Sequence, residues 1–135
     1  MRIAFGTDER TAVTERVEDL IGARGHLLVD AGQGEPWPDV GRRVGELVAS
    51  GECELGVVCC FTGTGVSIAA NKVHGARAAL CTDAATARGA RRWNDANVLA
   101  FGLRLTTAAL VEELLDAFLA AEADPGEAAN VAKLD

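Results

Sequence analysis

The chain has 135 residues, 49% hydrophobic and 24% charged, a composition typical of one globular domain that can bury its own core. A formal net charge of −7 argues against nucleic acid and anionic membranes as partners, because both select basic surfaces. No apolar run is long enough to span a bilayer and no signal-type segment is evident, so we expect a single cytoplasmic domain over residues 1–135.

Short apolar runs alternate with amphipathic ones along the chain, which predicts strands alternating with helices. Gly25 is placed to stop the first helix, Asp83 to cap the fourth, and Thr106 or Thr107 to begin the last. A polar tail over residues 124–135 follows the last helix, and the turn signal Pro125–Gly126 near its start separates it from that helix. The predicted strands cover residues 3–6, 26–30, 55–60, 76–81 and 97–102.

This alternation predicts the α/β class, a three-layer sandwich in which helices cover both faces of a five-stranded parallel sheet. We assume the strand order 2-1-3-4-5. Ligands of such sheets bind at the carboxyl ends of the strands where the winding reverses, here between strands one and three. The loops over 8–10 and 60–67 would meet there.

The loop after strand three carries the chemistry. Gly63 and Gly65 let the backbone approach a ligand, so that successive amides form a nest for negative charge. Hydroxyl donors and the positive end of the following helix would strengthen it. They come from Thr62, Thr64 and Ser67.

Cys60 ends the strand beside this nest, where a positive field favours a thiolate and makes it a candidate base or nucleophile. On spacing alone, a buried and inert Cys60 is an equally good interpretation. The four cysteines show no CxxC spacing, so we predict reduced thiols and no zinc site. We also expect no other metal and no cofactor. A dinucleotide site and a phosphate-binding P-loop are disfavoured, since neither full motif is present.

The run Cys60-Phe-Thr-Gly-Thr-Gly-Val-Ser-Ile-Ala-Ala-Asn-Lys72 resembles the signature Cys-Gly-Thr-Gly-x-Gly-x-Ser-Ile-x-Ala-Asn-Lys of the ribose-5-phosphate isomerase B and galactose-6-phosphate isomerase family. The resemblance extends over nearly the whole chain and implies a Rossmann-like sandwich. It also implies a homodimer, or a dimer of such dimers, with shared active sites. Further matching blocks are Gly6–Asp8, Pro38–Asp39, Gly75–Ala79, Asn94–Ala100 and Gly102–Arg104.

The resemblance implies aldose–ketose isomerisation of a sugar phosphate through a cis-enediol. Cys60 would be the base, since Val66 stands where another branch of the family has a glutamate. The amides from Gly63 to Ser67 would hold the enediolate oxygen and Thr62 would assist. Asp8 and Asn94 would orient sugar hydroxyls, with Asn94 supplied by the second subunit.

Three departures from the family pattern affect ring opening and phosphate binding. Glu9 replaces a histidine, and Trp93 replaces the histidine expected to open a cyclic sugar, a step whose proton an indole cannot transfer at neutral pH. The tail replaces a run of arginines with residues that include Glu127 and Asn130. These losses predict a linear or non-furanose substrate, with phosphate, another anionic group or none.

The remaining candidates each have a plain alternative. Arg104 matches a family phosphate contact, and Arg10 would replace lost charge or be a solvated helix-start residue. Glu9 would be a substrate ligand or a surface acid, and Trp93 would stack on a sugar or an apolar substituent. For the protein as a whole, the alternative to an isomerase is a degenerate member that binds a small ligand or a partner without turnover.

Overall fold

A computed structural model describes all 135 residues and confirms the α/β sandwich. Five parallel strands alternate with five longer helices, and the tail adds a short helix, α6 (Ala128–Val131), between two 3-10 turns. None of the helices combines the length and the hydrophobicity that a membrane span requires. The elements are β1 Arg2–Thr7, α1 Ala12–Ala23, β2 Leu27–Gln33, α2 Trp37–Ala49, β3 Leu55–Cys60, α3 Thr64–Asn71, β4 Ala78–Leu80, α4 Ala84–Asn94, β5 Val98–Gly102 and α5 Ala108–Ala120.

The strand order is β2-β1-β3-β5-β4, so the assumed order 2-1-3-4-5 is wrong at its last two strands. Five consecutive residues of β5 are buried, as expected for an inner strand covered on both faces, and β5 pairs with β3 and β4. The three residues of β4 are all partly exposed, as expected at an edge. The winding still reverses between β1 and β3, so the expected position of the site is unchanged.

Right-handed crossovers decide which helices cover which face. The connection from β1 to β2 contains α1, and the connection from β4 to β5 contains α4. Both connections cross the sheet in the same direction, so α1 and α4 lie on the same face. The core of that face includes Phe5, Phe101 and Phe118, and α5 packs there as well. The opposite face is covered by α2 and α3, around valines such as Val44 and Val58.

Local signals in the sequence set several helix ends as predicted. Gly25 follows α1 with a φ of 79°, the left-handed conformation that favours glycine. The Asp83 carboxylate accepts a 2.7 Å hydrogen bond from the amide of Thr86 at the start of α4. Thr107 caps α5, since its hydroxyl accepts a 3.1 Å bond from the amide of Leu110.

Candidate active site

The carboxyl edge of the sheet brings together the loops that follow β1, β2, β3 and β5. Cys60 ends β3 and is 5% exposed. It faces the α2 and α3 layer, whereas its neighbour Cys59 is fully buried in the opposite layer, as the alternation of side chains along a strand requires. Val66 is fully buried beside Cys60, so this layer presents a thiol and no carboxylate at that point.

A glycine turn joins β3 to α3. Gly63 has a φ of 78°, and a Cβ there would lie 2.6 Å from the carbonyl carbon of Phe101 and 2.8 Å from the amide of Gly102. Gly102 is constrained in return, since its Cβ would lie 2.6 Å from the carbonyl oxygen of Thr62. Paired glycines therefore let the loop cross directly over the end of β5.

The start of α3 presents free backbone donors. The amides of Thr64, Gly65 and Val66 make no hydrogen bond within the chain, and no side chain caps this helix. The amide of Ser67 donates to the carbonyl of Gly63 at 3.3 Å, so the expected nest ends at Val66 rather than at Ser67. The helix dipole points its positive end at the same place, which favours an anion.

Hydroxyl groups border the nest. The Oγ1 atoms of Thr62 and Thr64 are 2.7 Å apart and form a hydrogen-bonded pair. Ser67 is half-buried in the first turns of α3. Because one threonine of the pair donates to the other, the second retains a proton for a ligand.

Asp8 supplies the one carboxylate next to the nest that is partly buried. The Thr7 hydroxyl donates to the carbonyl of Glu9 at 2.7 Å and accepts from its amide at 3.2 Å, which folds the chain into a tight turn after β1. The Oδ1 atom of Asp8 is buried without any hydrogen-bond partner. Burial, and then the nearby charge of Glu9, raise the pKa of Asp8.

Two exposed arginines follow the strands at this edge. Arg10 and Arg104 make no ion pair, since the salt bridges of the chain all involve other residues. The loop after β5 is hydrogen-bonded to the end of β3 and the loop that follows it. The amide of Leu103 donates to the carbonyl of Cys60 and the amide of Arg104 donates to the carbonyl of Phe61, both at 2.9 Å. Arg104 is therefore tied to the loop that carries the nest. Glu9 is exposed beside Arg10.

Trp93 and Asn94 do not join these residues within one chain. They end α4, which runs antiparallel to the strands, so they lie at the amino edge of the sheet. Both are exposed, and Asn94 lines an open cavity of about 650 Å³ together with Arg77 and the end of the tail, Asp135. The other ten candidate residues lie at the carboxyl edge.

Trp37 is a residue of this edge that sequence reasoning missed. It begins α2, and its indole lies against Gly65 in the nest. Its signal in the sequence was the Pro-Trp-Pro run, Pro36 to Pro38, in the loop after strand two. That loop ends at the same edge as the nest, because all strands are parallel.

The chain matches the protein-family model described as Ribose/Galactose Isomerase over residues 3–134. It is 40% identical over 130 residues to the galactose-6-phosphate isomerase subunit LacB of Clostridium acetobutylicum, covering 93% of this chain and 75% of that protein. It is 33% identical to the D-erythrulose-4-phosphate isomerase of Pectobacterium atrosepticum, with 96% and 89% covered. The structure of ribose-5-phosphate isomerase B from Clostridium thermocellum superimposes with a TM-score of 0.93 at 41% identity, with 99% and 95% covered.

Proposed function

Because the chain belongs to the ribose/galactose isomerase family, whose members compared above are sugar phosphate isomerases, we propose that it interconverts an aldose phosphate and a ketose phosphate. The reaction would pass through a cis-enediol at the carboxyl edge. The observation that carries the proposal is the position of Cys60, at the end of β3 beside three amides that have no acceptor within the chain.

In this mechanism the thiolate of Cys60 removes the proton from the carbon next to the carbonyl. Negative charge then develops on the carbonyl oxygen, and the amides of Thr64, Gly65 and Val66 stabilise it where the dipole of α3 adds to their effect. The Thr62–Thr64 hydroxyl pair moves a proton between the two enediol oxygens. The Cys60 thiol returns its proton to the neighbouring carbon, so the balance closes without an external oxidant.

Asp8 and the arginines would hold the rest of the sugar. A buried carboxylate oxygen without a partner is costly, and a sugar hydroxyl that donates to it would remove that cost. Arg10 and Arg104 are free to contact a phosphate, which their planar guanidinium groups can bind with two hydrogen bonds. A chain of net charge −7 depends on such local positive charge to bind an anion.

For the substrate we propose a sugar phosphate that stays open in solution, with four carbons the simplest case. A tetrose phosphorylated at its last carbon cannot close a five-membered ring, because the oxygen needed for closure carries the phosphate. No ring-opening proton donor is then required, which fits Trp93 in place of the family's histidine. The similarity to a D-erythrulose-4-phosphate isomerase supports this substrate.

We further propose a homodimer that shares its sites, with Asn94 and Trp93 of one copy reaching the carboxyl edge of the other. Within a single chain these residues lie at the wrong edge to act with Cys60. Large apolar side chains remain exposed around the carboxyl edge, among them Phe61 at 58% and Leu105 at 70%, and a second copy would cover them.

The decisive test is proton exchange in heavy water with D-erythrulose 4-phosphate, followed by NMR. Wild type should exchange the proton on the reacting carbon, and Cys60→Ala should lose this exchange. Cys59→Ala is the matched control, because it removes the adjacent thiol, which faces the opposite layer. Exchange that survives in Cys60→Ala refutes Cys60 as the base. Exchange that is absent from wild type, although the sugar phosphate binds, refutes the isomerase and favours a binding protein.

Ribose 5-phosphate tests the substrate proposal separately. Its turnover should be at least about tenfold below that of D-erythrulose 4-phosphate, since the furanose must first open and Trp93 stands in place of the family's histidine for that step. Comparable kcat/KM values would show that the substitution at Trp93 and the altered tail do not set specificity.

Complementation tests the shared site. Cys60→Ala and Asn94→Ala should each be inactive, yet an equimolar mixture refolded together should regain about a quarter of the wild-type activity, because half of the dimers carry one intact site of two. A mixture as inactive as its components contradicts a shared site. The dimer itself is measured by light scattering.

A further inference from the structure

Trp37 closes the space at Gly65 in the nest. A Cβ at position 65 would lie 2.8 Å from Cε3 and 2.9 Å from Cδ2 of the indole, closer than real side chains approach. Gly65 is not among the glycines with positive φ, so its backbone conformation would accept other residues. The indole of Trp37, rather than backbone geometry, is therefore what excludes a side chain there.

The helix that carries Trp37 is fixed relative to the nest. α2 and α3 pack with their backbones in contact: a Cβ at Gly41 would lie 2.8 Å from the carbonyl oxygen of Val66, and one at Gly45 would lie 3.0 Å from that of Ala70. Such close packing leaves little freedom for one helix to slide over the other. The indole and Gly65 thus keep their relative position.

The loop before α2 is fixed as well. Arg43 on α2 forms two hydrogen bonds to the Glu35 carboxylate, at 2.7 and 3.0 Å, and donates a third to the carbonyl of Ala31 at 3.1 Å. Pro36 and Pro38 on either side of Trp37 restrict the backbone further. The first turn of α2 is therefore fixed by the bonds of Arg43 to the preceding loop and by the two prolines beside Trp37.

We infer that Trp37 is a positioning residue, which holds the Gly65 amide in the orientation that receives the enediolate oxygen and forms a wall of the substrate site. The inference rests on the proposed isomerase function. One part of the indole packs on Gly65, yet the residue is 44% exposed, so it retains open surface at the carboxyl edge. A bound substrate would cover that surface.

Turnover is the first test. Trp37→Ala should lower kcat on D-erythrulose 4-phosphate by about 10- to 100-fold, as expected when a transition-state donor is misplaced, and this loss should exceed the rise in KM caused by removing the wall. Trp37→Phe, which keeps a ring against Gly65, should restore most of kcat. An unchanged kcat in Trp37→Ala, or a loss confined to KM, overturns the positioning role.

A double-mutant cycle tests the contact without using activity. Gly65→Ala should lower the melting temperature in wild type, because the new methyl meets the indole, and should lower it by less than half as much in the Trp37→Ala background. Gly22→Ala is the control: this helical glycine has nothing within 4 Å of an added Cβ, so the substitution should be neutral or stabilising. An equal effect of Gly65→Ala in both backgrounds overturns the inference.

Fluorescence tests the wall. The chain has two tryptophans and no tyrosine, so Trp93→Phe leaves Trp37 as the only strong emitter. Binding of 3-phosphoglycerohydroxamate, whose hydroxamate imitates the enediolate, should shift this emission. Binding seen by calorimetry without a shift overturns the wall. If no sugar phosphate turns over and the hydroxamate fails to bind, the proposed function fails, while the melting cycle still decides whether Trp37 supports the loop.

Discussion

Gly63→Ala probes the turn on which the candidate site depends. A side chain at φ 78° costs about 1–2 kcal/mol through backbone strain alone. The new methyl would also lie 2.6–2.8 Å from main-chain atoms of Phe101 and Gly102, which cannot move without disturbing β5. Overpacking of this kind costs about 1–3 kcal/mol, so we expect a total loss of about 2–5 kcal/mol.

Gly51→Ala is the matched control. Gly51 has nearly the same φ, 80°, but nothing lies within 4 Å of an added Cβ. Strain and the reduced entropy of the unfolded chain therefore act equally on both variants, and the difference between them isolates the close approach to β5. That difference should be about 1–3 kcal/mol.

Urea denaturation at one fixed protein concentration measures both variants, because any association makes apparent stability depend on concentration. Gly63→Ala should also lower kcat, since the amides of the nest follow this turn directly. If the two variants lose the same unfolding free energy, within about 0.5 kcal/mol, the crossing over β5 does not constrain the loop and the reasoning fails.

Three further predictions concern single side chains at the same edge. Burial raises the pKa of Asp8, so its ionisation destabilises the fold as pH rises above the ordinary value of 3.8. The unfolding free energy of Asp8→Asn, relative to that of wild type, should therefore be higher at about pH 7 than at about pH 3, and a difference that does not change with pH would contradict this. Arg104→Ala should raise KM for a sugar phosphate about tenfold or more, as for loss of a hydrogen bond to a charged group, whereas Arg88→Ala on the exposed face of α4 should not. Equal KM values for these two variants would remove Arg104 from the phosphate site. Thr62→Val should lower kcat about 100-fold, whereas Thr62→Ser should keep most of the wild-type kcat, since only the serine keeps the hydroxyl. Similar kcat values for the valine and serine variants would exclude that hydroxyl from proton transfer.

Much of the local structure could be predicted from the sequence. The alternation of strands and helices, the stop at Gly25 and the caps at Asp83 and Thr107 each depend on a few neighbouring residues. The glycine-rich loop was also predictable, because a turn from a strand into a helix favours glycine where φ is positive. Its roles in binding and catalysis remain predictions that the experiments above address.

The lateral order of β4 and β5 was not correctly assigned. Periodicity shows that a strand exists but not which strand lies beside it. The predicted strands, residues 76–81 and 97–102, were equal in length, so their lengths did not distinguish the inner strand from the edge. Only the structure shortens β4 to Ala78–Leu80 and places it at the edge.

The sequence by itself determined the elements, the helix ends and the residues able to carry the chemistry, since these follow from local backbone and side-chain preferences. Only the tertiary structure decided which of them meet. It placed Trp37 against Gly65 through the packing of α2 on α3, and it placed Trp93 and Asn94 at the amino edge because α4 runs back against the strands. Contacts between distant segments depend on how the layers pack, and no single stretch of sequence contains that information.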